Sequence, residues 1–256
     1  MTGTIETDSG DGITTITLLN EGKRNAISYG MMAEIIDAME ELADREEDQV
    51  VIFEGAGEYA FSAGFDLDQD RHEDNGRLWQ EMNDAVEAHD YPTIAKLNGD
   101  TYGGAFELAA SCDIRLGRRG ATFGITPAKI GVVYGPRAIT RVMNVIGPAK
   151  TKELLYTGNA IDAEHAREIG FLNYLLDDDA TLDEKTREMA ETISGNAPLS
   201  LKGMNTIIDS ILANRSLSDA EVELGHTIRM EAFQSRDYEE GVEAFSENRD
   251  PEFEGR

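Results

Sequence analysis

The 256-residue sequence predicts an α/β protein. Three observations carry that reading. Short β-branched or apolar runs alternate with helically spaced apolar residues over the first two-thirds of the chain, and helical spacing alone follows. Hydrophobic residues make up 40% of the chain, enough for a sizeable core. No internal repeat or low-complexity linker interrupts it, so one core with an appendage accounts for the length. We set the core at residues 1–195 and a helical C-terminal region at 196–256.

The elements follow in order. Ile13–Leu19 is β-branched and reads as a strand, and Asn20–Asn25 as a polar loop. Ser28 is placed to cap a helix with Met32, Ile35, Ile36, Met39 and Leu42 on one face. Gln49–Phe53 is a short buried strand, and Glu54–Gly64 a loop with three glycines. The acidic stretch from Asp66 reads as a mobile helix or loop. Leu78–Ala88 is helical, Thr93–Leu97 a strand and Gly103–Ser111 a helix. Asp113–Leu116 and Thr122–Phe123 are short strands. Arg137–Ile146, Ala149–Tyr156 and Ala163–Ile169 read as helices, and Leu172–Leu176 as an extended piece. From Leu182 the pattern is helical, broken near Pro198, Asn214 and Asp237.

Composition excludes several function classes. With 23 basic and 50 acidic side chains the formal charge is −27, so a polyanion such as nucleic acid meets a repulsive field. The acids are dispersed, and runs such as Asp177–Asp179 read as solvated surface. That charge suits a high-salt cytosol, where screening shortens self-repulsion. No stretch approaches a membrane span, and the N-terminus has neither a basic end nor an apolar core, so a cytoplasmic protein is expected. The single Cys112 ends an apolar helix and reads as a small buried residue. His72, His89, His165 and His226 form no HExxH arrangement, and no metal site is expected. Gly55-Ala56-Gly57-Glu58-Tyr59-Ala60 fits a dinucleotide fingerprint, but a glycine-containing loop continues where a helix must open. Ser62 lies outside a GxSxG elbow.

Two glycine-containing segments carry chemistry: Phe61-Ser62-Ala63-Gly64-Phe65-Asp66-Leu67, and Asn98 to Leu108 with Gly103-Gly104-Ala105-Phe106-Glu107 inside it. The first N–H groups of a helix lack internal partners. Gly103 and Gly104 leave that end bare, so a ligand oxygen can reach the Gly104 N–H, favoured by the helix dipole. Glu107, three residues on, returns to the same side. The competing reading is that Gly103-Gly104 lets two elements pack closely, with Glu107 a first-turn acid favoured by the dipole.

These segments resemble the enoyl-CoA hydratase/isomerase (crotonase) family. So do Asn20-Glu21-Gly22-Lys23-Arg24-Asn25-Ala26-Ile27, Ile161 to Ala166, Gly170 to Asn173 and Phe245 to Phe253, in order along nearly the whole chain. The resemblance implies a spiral of ββα units and a C-terminal helical region making trimers, often paired into hexamers. It implies that the Phe65 and Gly104 N–H groups bind a thioester oxygen, with Glu107 moving a proton. Lys23 and Arg24 would lie near the CoA phosphates and Ala26 near the adenine, with Ala63, Asp66 and Phe253 also toward CoA. Ordinary loop charge is the other reading of Lys23 and Arg24. An acyl-CoA ester is the expected partner, and no cofactor beyond its CoA moiety is expected.

One position departs from the pattern. Hydratases of this family commonly carry a second Glu after a proline, and here Pro127 is followed by Ala128, which cannot transfer a proton. The run Thr126 to Tyr134 resembles methylmalonyl-CoA decarboxylase members, in which the matching Tyr serves the site, although Phe65 replaces a His. Tyr134 is then an auxiliary catalytic residue or a half-buried aromatic with a satisfied hydroxyl. The expected activity is that of an enoyl-CoA hydratase/isomerase-like enzyme with one carboxylate. Decarboxylation of a malonyl-type CoA ester is the alternative, and a non-catalytic CoA-binding scaffold or RNA-binding relative the reading from another class.

Overall fold

The computed structural model describes residues 3–45, 49–68, 75–214, 227, 231, 234–247, 249 and 252–255. Strands β1 (Thr4–Gly10) and β2 (Ile13–Leu19) form an antiparallel hairpin through Asp11 and Gly12, both at positive φ. β1 is absent from the sequence-based reading. It is an edge strand exposed along nearly its whole length, so it carries no alternating apolar signal. Helix α1 (Tyr29–Ala43) opens where Ser28 predicts: its hydroxyl accepts the Met31 N–H at 3.2 Å. Met32, Ile35, Met39 and Leu42 are buried on one face.

A strand–strand–helix unit then repeats. Its members are β3 (Val50–Gly55), β4 (Ala60–Ser62) and α2 (Asn75–Glu87), then β5 (Thr93–Leu97), β6 (Asp100–Tyr102) and α3 (Gly104–Ser111). The last is β7 (Ile114–Arg118), β8 (Thr122–Gly124) and α4 (Pro136–Thr157). Each unit gives one strand to each of two sheets. The larger has the order β1-β2-β3-β5-β7-β10, parallel from β2 onward; the smaller is β4-β6-β8-β9. Here β9 is Ile161–Asp162 and β10 is Tyr174–Leu176, flanking α5 (Ala163–Glu168). The expected ββα spiral is therefore present. Glu54–Gly64 is corrected from a loop to the end of β3, a turn and β4. With three residues, neither β4 nor β6 is long enough to show a two-residue period.

Alternation along β3 divides the core. Val51 and Phe53 face the main cluster with α1, α2 and α3, whereas Val50 and Ile52 face Leu182 and Ala190 of α6 (Asp179–Ser194). The two helices expected at 137–146 and 149–156 run as one element kinked at Gly147, which has φ 74° and precedes Pro148. Helix α7 (Pro198–Asn214) and a helix over Arg236–Glu247 follow. The helical expectation for residues 215–226, the histidines His72 and His226, and Asn248, Asp250 and Pro251 lie outside the described residues. No described helix is long and apolar enough to cross a membrane.

Candidate functional site

The site is built where two backbone turns touch. Gly64 has φ 86°, and a Cβ placed on it would stand 2.6 Å from both the Gly104 nitrogen and the Tyr102 carbonyl oxygen. Only glycine allows that approach. Phe65 forms a parallel bridge with Ile27: the Ile27 N–H donates to Gly64 O at 2.7 Å, and the Asp66 N–H to Ile27 O at 3.0 Å. In this bridge the flanking residues make the bonds, so the Phe65 N–H itself turns to the other side. The turn is fixed from beneath. Ser62 donates to Asn25 O at 2.6 Å and accepts the Gly64 N–H at 3.0 Å, while the buried Asn25 amide donates to Ala56 O and Ala60 O, both at 2.9 Å.

The second turn is the start of α3. Gly103 precedes it at φ 58°, and its N–H donates to Gly124 O at 2.8 Å. Gly104 is the first helical residue, where an N–H has no partner one turn back. Glu107 lies in that first turn and is 3% exposed. Trp79 of α2 donates its indole N–H to Glu107 Oε2 at 2.9 Å, and Arg141 of α4 donates to Oε1 at 3.0 Å. Trp79 also packs closely against Gly104, so that a Cβ at Gly104 would run into its ring. The close packing that is one reading of the glycine pair is present at Gly104, with Trp79 as the packed element. The Phe65 ring meets Trp79 edge-on at 6.1 Å.

Arg141 is buried and surrounded by acids: Nε donates to Glu87 at 3.0 Å, Nη2 pairs with Asp84, and Asp84 also pairs with Arg137. Burial pushes the Glu107 carboxyl up from its ordinary range, and the Trp79 and Arg141 hydrogen bonds and the Arg141 charge oppose that rise. Tyr134 is partly buried against the core. Burial first, and then the Glu107 charge, raise its phenol well above the ordinary value. Ala128 is exposed in a 3₁₀ turn, Pro127–Ile130.

The expected CoA-side residues occupy the neighbouring loop. Arg24, at φ 53°, and Ala63 line an open cleft of about 200 Å³ with Ala60, Asp100 and Tyr102. Ala26 is buried beneath the loop. The Lys23 ammonium pairs with Asp66 at 2.8 Å and Asp68 at 3.1 Å, and those bonds raise its pKa, Asp66 most. A phosphate there must share Lys23 with two carboxylates. Phe253 is half-buried in a C-terminal stretch tied to the last helix by the Glu254 and Gly255 N–H groups on Asp237, at 2.7 and 2.9 Å. Cys112 is buried, and desolvation pushes its thiol up to about 12, which makes it inert as expected.

Sequence reasoning missed Trp79, Arg141 and Asp84. A signal existed for Arg141: it falls on the buried stripe of α4 with Ala138, Val142 and Ile146, where an arginine is out of place without partners.

The two-sheet spiral of ββα units is the architecture of the crotonase class of α/β proteins. The enoyl-CoA hydratase/isomerase family model matches residues 8–256. Carnitinyl-CoA dehydratase from Citrobacter koseri is 33% identical over 255 residues, covering 93% of this chain and 94% of that one. Methylmalonyl-CoA decarboxylase from Escherichia coli is 29% identical over 241 residues, covering 91% of each. The crystal structure of an enoyl-CoA hydratase from Bacillus anthracis superposes with a TM-score of 0.92 at 28% identity, covering 98% of this chain and 99% of that one. The chain belongs to the enoyl-CoA hydratase/isomerase family.

Proposed function

We propose that this acyl-CoA enzyme stabilises a thioester enolate between the Phe65 and Gly104 N–H groups and moves the proton with Glu107. One observation carries the reading: a buried carboxylate sits one turn from a helix-initial glycine that touches the Gly64-Phe65 turn. Backbone donors fixed beforehand stabilise the developing oxyanion without reorganising, and one such donor is worth about 10²–10³ in rate. In hydration, a water oxygen bonds to Cβ, the thioester oxygen takes the negative charge, and Glu107 accepts the water proton and returns it to Cα. Lys23, Arg24, Ala26, Ala63 and Asp66 line the CoA end in this reading. Phe253 approaches the CoA of a neighbouring subunit.

A second reading has its own observation. Ala128 removes the second acid, and Tyr134 lies within electrostatic reach of Glu107. Decarboxylation of a malonyl-type ester needs no second carboxylate. The C–CO₂ bond breaks, its electron pair enters the enolate held by the same two amides, and Cα then takes a proton from the Tyr134 hydroxyl or a water, restored from solvent. The resemblance to methylmalonyl-CoA decarboxylase points the same way. We also propose a homotrimer or homohexamer, because Met204, Ile208, Ile211 and Leu212 leave α7 with exposed apolar side chains.

The test is mass-spectrometric. The protein is incubated with crotonyl-CoA, methylmalonyl-CoA and ethylmalonyl-CoA separately, in high salt. Gain of water identifies a hydratase and loss of carbon dioxide a decarboxylase. Glu107→Gln is expected to slow the observed reaction by roughly 10²–10⁴. Full activity in that variant removes Glu107 from the chemistry.

A further inference from the structure

Glu107 is held by two donors on two different helices, one on each oxygen. Trp79 comes from α2 and Arg141 from α4, and neither an indole N–H nor a guanidinium can accept a hydrogen bond. Protonation would weaken both charge-assisted bonds without displacing them, so the arrangement favours the ionised form while leaving a lone pair on each oxygen free to take a proton. We propose that Arg141 is a positioning residue for Glu107: with Trp79 it fixes the plane of the carboxylate and opposes the neutralisation that burial favours, so that Glu107 meets substrate as a proton acceptor. This rests on the reading of Glu107 given above and specifies its resting state.

The surroundings of Arg141 support a holding role and not a substrate-binding one. Its side chain is 2% exposed, and its Nη2 and Nε donate to Asp84 and Glu87 of α2. A substrate carboxylate would have to displace those acids. Asp84 is itself paired with Arg137, one turn before Arg141. Farther along α2, the Asn83 amide accepts from the Ser111 hydroxyl of α3 at 3.0 Å and donates to the Trp79 carbonyl at 2.8 Å. Helices α2, α3 and α4 are thus locked together around one carboxylate. The charged groups acting on Glu107 are Arg141 directly and Asp84 through its charge; Tyr134 lies nearby, its phenol held neutral by burial first and then by the Glu107 charge.

The experiment compares wild type, Arg141→Lys, Arg141→Met and Trp79→Phe. Two readouts are used: the pH profile of kcat/KM, and a substrate-free infrared titration of Glu107 assigned by difference from Glu107→Gln. Removing the positive partner raises the Glu107 pKa, so both the acid limb and the infrared midpoint are expected to move to higher pH. The expected shift is about one unit or more in Arg141→Met, with kcat down about 10–100-fold. Arg141→Lys, which keeps the charge but loses the planar fork, is expected to shift both measurably but by less than Arg141→Met, and Trp79→Phe likewise. Arg141→Lys keeps the test decisive should Arg141→Met fail to fold, because it too is expected to show a measurable shift. An unmoved infrared midpoint in the folded Arg141 variants overturns the proposal, even if they lose activity or melt earlier. A shifted midpoint in a protein that turns over no acyl-CoA upholds the positioning of Glu107 and overturns the catalytic reading instead.

Discussion

Gly104 carries two demands at one Cα. In the proposed reading its N–H must stay accessible at the helix end, and its missing Cβ gives Trp79 the place from which the indole reaches Glu107. Gly104→Ala is expected to do more than an ordinary helical Gly→Ala change, which on exposed helices is mildly stabilising. The methyl collides with the indole, so the ring must leave, and Glu107 loses a donor. We expect at least a 10²-fold loss of kcat/KM together with a lower melting temperature; unaltered kinetics would mean that Trp79 does not set the site. Gly104 and Glu107 were legible in the sequence, because a glycine pair opening a helix with an acid in its first turn is a local pattern. Trp79 and Arg141 were not. They lie 28 and 34 positions from Glu107, on helices whose mutual packing no local spacing encodes.

The same division holds for whole elements. The strand Ile13–Leu19 and helix α1 announce themselves because one face of each is buried and the other is not. The three-residue strands β4 and β6 pair with neighbours far along the chain, and only the spiral creates their partners. Helix α7 illustrates a penalty at this scale. Asp209 has its pKa raised to about 6, chiefly by burial and then by the charges of Asp113 and Glu87. The folded state therefore binds this proton more tightly than the unfolded chain, whose carboxyl titrates near the ordinary value of 3.8. The associated stability is fully present below about pH 4 and is lost as pH rises through about 6. Asp209→Asn is expected to melt at a higher temperature than wild type at pH 8 and with little difference at pH 4. Equal melting temperatures at pH 8, followed calorimetrically, would count against the burial of that charge.

A chain with a formal charge of −27 repels itself and any anionic ester that approaches it. At about 1 M salt the screening length falls to about 3 Å, and both penalties shrink. Melting temperature is therefore expected to rise from dilute buffer to molar potassium chloride, and KM for an acyl-CoA to fall over the same range. Greatest stability in dilute buffer would contradict the role given to the surface acids. Among these acidic surfaces the chain has one tryptophan, and it is Trp79, resting on Gly104 and bonded to Glu107. All the protein's indole fluorescence thus originates beside the proposed reacting atoms. A ligand entering there changes the colour and intensity of the entire emission, which makes an unlabelled titration in a cuvette a direct view of occupancy.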